Sequence, residues 1–277
     1  MMKNRIDQPL RATGDNTVFL TVTAYSDYEL QAMTLRQSAA DHGIPIVLCD
    51  AGESWHSFYH HKIERMGEHL KRAHDDGKHF AFILDCRDVV FIDTLDTVLE
   101  KFNAMNDGRV IFNHDMPGAI WPSLNDDLLR AMEEAMGSEH ARLNAGMIAG
   151  NIETMLQIRH HAMEIRRELK EGSPRHGISK RLYQEIGAGF LDDDQHLYQL
   201  CLTYYPELFH IDYNKELFAL LMSYPKEVRE YSDDPKRHDV INHAAIVHSP
   251  WLSRESEWIE WALQNKWRES FVLPLSQ

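Results

Sequence analysis

The apolar run Phe80–Leu84 leads straight into Asp85, Cys86, Arg87 and Asp88. Two carboxylates three positions apart, just past a buried segment, can turn toward one point. Hard oxygen donors of this kind suit Mg²⁺ or Mn²⁺ that also binds substrate phosphates. The same spacing fits a turn whose aspartates cap the next element or pair with Arg87. A second acidic centre is FLDDDQHLY, with Asp192, Asp193, Asp194 and Gln195. Carboxylates at a helix N-terminus complement the helix dipole. Here Phe190, Leu191, Leu197 and Tyr198 flank the run, so it is more than a solvated charge block. The third group is His248, at the end of AIVHSPW. It reads either as a satisfied structural histidine or, if its strand neighbours that of Asp85, as the imidazole of a two-carboxylate, one-histidine metal shell with positions left for phosphate oxygens.

The elements that must position these groups follow from patterning. Val18–Thr23, Pro45–Cys49, Phe80–Leu84, Val110–Asn113, Asn144–Gly150, Leu208–Asp212 and Ala244–His248 read as short strands. Tyr28–Asp41, Tyr59–Ala73, Thr94–Phe102, Ile152–Lys170, Asp192–Tyr204 and Ser253–Trp267 read as helices, and Asp50–Ser57 as a polar loop. Alternating strands and helices predict an α/β fold with a largely parallel sheet. In open α/β sheets, ligands bind beyond the carboxyl ends of strands, which is where Asp85 sits. No repeat or linker divides the 277 residues, so one domain is expected.

Composition narrows the function. The chain carries 29 Lys plus Arg against 43 Asp plus Glu, a formal charge of −14. That balance argues against binding nucleic acid by bulk charge. No apolar run approaches a membrane span, and the polar start predicts a cytoplasmic protein. Cys49, Cys86 and Cys201 are scattered and form neither a disulfide framework nor a zinc knuckle. They read as small buried residues, although a thiol at Cys86 could recruit softer metals to the turn. His56 and His60 form H-x-x-x-H, but Ser57 stands where a zinc protease needs glutamate. The pairs His60-His61 and His160-His161 point to different helix faces. Trp258, Trp261 and Trp267 read as core packing, with a self-association surface as the alternative.

Nine pieces then occur in a recognisable order: TVTAYS, ESWHSF, HHKIERM, ILDCRDVVF, VIFNHD followed by WPS, RLNAGMIAG, FLDDDQHLY, HIDYNKELF and IVHSPWLSR. From about Val18 to Arg254 the chain resembles the glycosyltransferase domain of the procollagen lysyl hydroxylases and their stand-alone bacterial and viral relatives. The resemblance implies a GT-A fold, with a nucleotide-binding half over about 16–115 and an acceptor half over about 116–277. It also implies a UDP-sugar donor, Mn²⁺ (or Mg²⁺), and transfer to a hydroxyl acceptor with retention of configuration. Residue by residue, it implies Asp85, Asp88 and His248 as metal ligands. Thr23, Trp55, Lys62, Arg87 and Arg254 fall on the nucleotide and diphosphate side. Asn144, Asp193 and Asp194 fall at the reacting sugar, and Gln195 and Trp121 at the donor-sugar and acceptor site.

Some positions depart from the family pattern. Arg87 replaces the aromatic inside D-x-x-D, and a guanidinium can stack on a base face. The H-G-N-G-P-x-K segment is His248-Ser249-Pro250-Trp251-Leu252-Ser253-Arg254, where Arg254 offers a fork for phosphate in place of a point charge. L-N-S-G-G is Leu143-Asn144-Ala145-Gly146-Met147, which reshapes the sugar pocket. The expected activity is metal-dependent glycosyl transfer to a glycan, protein or lipid-linked acceptor. A nucleotide-sugar hydrolase using the same metal site, or a non-catalytic sugar-nucleotide-binding protein, are the alternatives.

Overall fold

The computed structural model describes residues 10–23, 32–50, 55–86, 88–114, 143–171, 177, 180, 181, 184, 194–220 and 244–248. Nine strands are described: β1 (Thr17–Thr23), β2 (Ile46–Asp50), β3 (Phe80–Asp85), β4 (Val89–Phe91), β5 (Val110–His114), β6 (Leu143–Asn151), β7 (Phe209–Asp212), β8 (Phe218–Leu220) and β9 (Ile246–His248). Five α-helices accompany them: α1 (Met33–Asp41), α2 (Trp55–Asp75), α3 (Leu95–Met105), α4 (Ile152–Lys170) and α5 (Asp194–Tyr204).

Six strands form the central sheet in the order β2-β1-β3-β6-β5-β7. Only β6 runs against its neighbours; the β1–β2, β1–β3 and β5–β7 pairings are parallel. The carboxyl ends of β1, β2, β3, β5 and β7 therefore share one edge, together with the start of β6. A second sheet of three short strands, β4-β9-β8, stands beside it.

The period-2 alternation of the strands sends side chains to two cores. On one face, Leu20, Ile83, Phe112 and Ile148 pack with Ile63 and Met66 of α2, Ile158 of α4 and Leu197 of α5. On the other, Phe19, Phe82 and Phe91 pack with Leu35 of α1, Phe102 of α3 and Ile246 of β9. The Phe19 and Phe82 rings stack at 4.6 Å, and Phe82 meets Phe102 at 5.2 Å. Burial on both faces explains why these strands read as continuous apolar runs. Thr94 caps α3 by accepting from the backbone N–H of Thr97.

Most predicted elements lie within a residue or two of their expected bounds. One is corrected. Trp55–Ser57, read as part of a polar loop, form the first turn of α2. The last helix breaker there is Gly52, so nothing in the sequence forbids a start at Trp55. Two strands were not foreseen, β4 and β8. Each has three residues, too few to display a period. The N-terminal part of the helix expected from Tyr28 and the helix over Ser253–Trp267 lie outside the described residues.

Candidate functional site

Three backbone events bring distant residues to the carboxyl edge of the sheet. First, β3 carries its apolar run to that edge and ends on Asp85. Second, the chain crosses from β3 to β4 through Asp88, and β4 pairs antiparallel with β9 so that Val89 lies opposite His248. The imidazole is thereby set beside the crossing. Third, β6 pairs with β3 with Leu84 opposite Met147, which puts Gly146 next to Asp85.

Gly146 is what allows the convergence. A Cβ there would lie 2.2 Å from His248 Cε1, 2.5 Å from its Nδ1 and 2.9 Å from Asp85 Oδ2. Only a residue without a side chain lets the ring and the carboxylate meet across the strand.

Asp85, Asp88 and His248 each present one donor atom, all within 4.8 Å of one another. His248 is buried, and its Nε2 lies 3.3 Å from Asp88 Oδ1 and 3.8 Å from Asp85 Oδ2. Among the described residues, that nitrogen makes no hydrogen bond of good geometry. The other ring nitrogen, Nδ1, is 3.0 Å from Asn144 Oδ1, which also accepts from the Gly146 N–H at 2.9 Å. With that oxygen accepting, Nδ1 is the protonated nitrogen and Nε2 is aimed at the two carboxylates. Burial works to lower the His248 pKa, but Asp88 and then Asp85 overcome it and hold it above the usual value. Two oxygens and a nitrogen whose remaining ring position is fixed by a neighbour form a donor set that fits a divalent cation.

On the helix side of the sheet, Lys62 of α2 is buried and bridges two acids. Its Nζ is 2.8 Å from Asp85 Oδ1 and 2.8 Å from Asp194 Oδ2. Burial works to lower its pKa, yet Asp194 and then Asp85 hold it well above the ordinary lysine value. For Asp85, burial works upward, while Lys62 and then His248 pull the pKa below the ordinary carboxylate value. Asp85 therefore belongs to two clusters at once, one oxygen toward His248 and the other toward Lys62. A short amide network completes the edge. Gln195 Oε1 accepts from Asn144 Nδ2 and from the Ala145 N–H, both at 3.2 Å, and Gln199 Oε1 accepts from the Leu143 N–H at 3.1 Å. It fixes the first turns of α5 to the start of β6.

Seven of the residues singled out from sequence thus meet: Asp85, Asp88, His248, Lys62, Asn144, Asp194 and Gln195. Thr23 closes β1 opposite Asp50, and Trp55 opens α2, so both backbone positions lie at the same edge. Arg87, Trp121, Asp193 and Arg254 lie outside the described residues. Lys62, expected at the diphosphate, has its ammonium between two carboxylates at this edge, and the sequence offered no sign that Asp194 would reach it. Gly146 also escaped selection, although the run Asn144–Gly150 had signalled close approach through its glycines. Asn113 was missed altogether. It is buried, lies opposite both Asn144 and Asp212, and neither of its amide atoms has a hydrogen-bond partner among the described residues. A lone asparagine ending a predicted strand carries no signal of this kind. His160 and His161 make no chelating pair: the first faces Glu164 and the second stacks on Tyr205 at 3.9 Å.

Comparison with known proteins identifies the family. The PLOD GT domain model matches residues 15–166, more than half of the chain, and the chain belongs to that family. No curated protein sequence matches it. Among solved structures, mouse xyloside xylosyltransferase 1 in its apo form is similar at TM-score 0.50 and 12% identity, over 86% of this chain and 98% of that one. A glycosyltransferase involved in glycosylation of the major capsid of PBCV-1 is similar at TM-score 0.47 and 13% identity, over 88% of this chain and 98% of that one. The fold is that of GT-A glycosyltransferases, and family membership supports glycosyl transfer as the activity. Among the described residues, no helix is long and apolar enough to cross a membrane.

Proposed function

We propose that this member of the PLOD GT domain family is a divalent-metal-dependent glycosyltransferase using a nucleotide-sugar donor, with UDP as the nucleotide. The observation that carries this reading is the convergence of Asp85, Asp88 and His248 donor atoms within 4.8 Å at the carboxyl edge of the sheet. Asp85, Asp88 and His248 would hold Mn²⁺ or Mg²⁺, which supplies positive charge to a leaving diphosphate. The chain works as one domain. Its nucleotide half spans about 16–115, with Thr23, Trp55 and Arg87 at the nucleoside and Arg254 at the phosphates. Its acceptor half spans about 116–277, with Trp121 at the acceptor cleft.

The remaining roles follow from position. Lys62 bridges Asp85 and Asp194 and holds them at fixed separation, so the metal side and the sugar side of the site share one cation. Asp194, with Asp193, would orient donor-sugar hydroxyls, stabilise positive charge at the anomeric carbon or take the acceptor proton. Asn144 holds the His248 ring, and Gln195 holds Asn144, so these two residues set the geometry of the centre. Retention of configuration and location in the cytoplasm complete the proposal.

Thermal unfolding with UDP, GDP, CDP and dTDP, with and without Mn²⁺, tests it. UDP with Mn²⁺ should stabilise the protein by about 3 kcal/mol at a hundredfold excess over Kd, a rise of several degrees. UDP alone should do little, and Asp88→Ala should abolish the Mn²⁺-dependent part. Full transfer activity in Asp88→Ala would refute the metal assignment, and a response to no diphosphate would refute the donor assignment.

A further inference from the structure

The carboxyl edge of β5 and β7 carries an aromatic corner that the donor site does not use. Asn113 lies opposite Asp212 in the parallel β5–β7 register, so the next residues, His114 and Tyr213, stand side by side at the rim. Their ring centroids are 5.1 Å apart and the planes are tilted by 52°. Tyr213 is 45% exposed.

Location ties this corner to the reacting end of the site. Phe112 packs on Tyr198 of α5, and His114, two residues further along β5, faces the same side. Asp194 and Gln195 open that same helix. Leu143, opposite His114 across β5–β6, is hydrogen-bonded to Gln199 of α5. Strand β7 stands three places from β3, about 14 Å from the metal cluster at a spacing near 4.8 Å. On the other side of β3 lie β1 and β2, where the nucleoside is placed in the reading above. On that reading, a donor crossing Asp85 from β1 would carry its sugar toward β6, β5 and β7.

We propose that Tyr213 and His114 form an acceptor subsite that stacks a pyranose ring, so that the acceptor is a glycoside. This deepens the glycosyltransferase reading above and rests on it. The weakly positive axial C–H bonds of a pyranose meet the negative face of an aromatic ring, and the Tyr213 hydroxyl can donate to or accept from a sugar hydroxyl. Two tilted rings make a corner for a flat, ring-shaped ligand.

Saturation-transfer NMR on the full chain, with UDP and Mn²⁺ present, tests this. The probes are methyl glycosides of glucose, galactose, mannose and xylose, and a short hydroxylysine peptide. At least one glycoside should receive saturation at its ring C–H protons. That signal should fall at least fivefold in Tyr213→Ala and Tyr213→Lys and persist in Tyr213→Phe. An unchanged melting midpoint confirms the fold of each variant, and the half-exposed position makes all three substitutions tolerable. A glycoside signal undiminished in both Tyr213→Ala and Tyr213→Lys, no response from any glycoside, or a response from the peptide alone would overturn the subsite. Failure of UDP and Mn²⁺ to bind would show in the separate diphosphate melting series and would overturn the donor reading instead.

Discussion

Replacing Gly146 with alanine tests the architecture of the site at its tightest point. The added methyl would start 2.2 Å from His248 Cε1 and 2.9 Å from Asp85 Oδ2, against an ordinary contact beyond 3.4 Å. The ring must therefore withdraw by about 1 Å. It has little freedom to do so, because it is buried, its strand is paired with β4, and its Nδ1 is held by Asn144. Metal–ligand distances tolerate only about 0.2 Å, so a displacement of this size would remove Nε2 from the proposed coordination shell. Disturbing the orientation of such a ligand costs ~10–100-fold in metal affinity. Overpacking itself costs about 1–3 kcal/mol, a drop of several degrees in melting midpoint. Gly150→Ala supplies the control. Its Cβ would meet Val110 Cα at 3.0 Å in the same strand, against the β5 backbone rather than beside His248. Mn²⁺ titration followed by electron paramagnetic resonance should show weakened binding in Gly146→Ala and unaltered binding in Gly150→Ala, while both melt earlier. Wild-type Mn²⁺ affinity in Gly146→Ala would refute the claim that this glycine makes room for the centre.

Two further outcomes follow. Lys62→Met leaves Asp194, which is buried, and Asp85 without their shared cation, and should cost about 3 kcal/mol by urea unfolding. Adding Asp194→Asn should recover part of that loss; an additive double variant would mean that the pair is not coupled. Far from the site, Asp107 is held at about 2, chiefly by its hydrogen bond with the Arg109 side chain. A lowered carboxylate pKa contributes stability above its unfolded value near 4, and this is lost as pH falls toward 2. Asp107 is half-exposed, so Asp107→Asn should cost no more than a few tenths of a kcal/mol at pH 7. The difference between the urea midpoints of the two proteins should vanish by pH 2, and a difference that grows on acidification would contradict the ion pair.

What the sequence determined by itself is local. Apolar runs bounded by polar turns marked β1, β3 and β6, and the bounds of α4 could be read directly, because a long helical stretch repeats its period several times. The placement of Asp85 and Asp88 just past a buried strand was equally legible, since both lie within nine residues of the apolar run that positions them. The order of nine short pieces carried the family. What the tertiary structure decided is every relation between distant segments. His248 meets Asn144 across 104 positions of chain, by way of the β4–β9 pairing, whose partner and register no local pattern shows. Nothing in the spacing of Lys62 foretold that its ammonium would be buried between Asp85 and Asp194, because that depends on how α2 and α5 pack on one face of the sheet. The need for Gly146 appears only once a ring from β9 and a carboxylate from β3 press on the same point of β6. Side-chain types and short-range periodicity are written in the chain, whereas strand order and register arise from non-local pairing, and those pairings turn scattered acids, an imidazole and a lysine into one site.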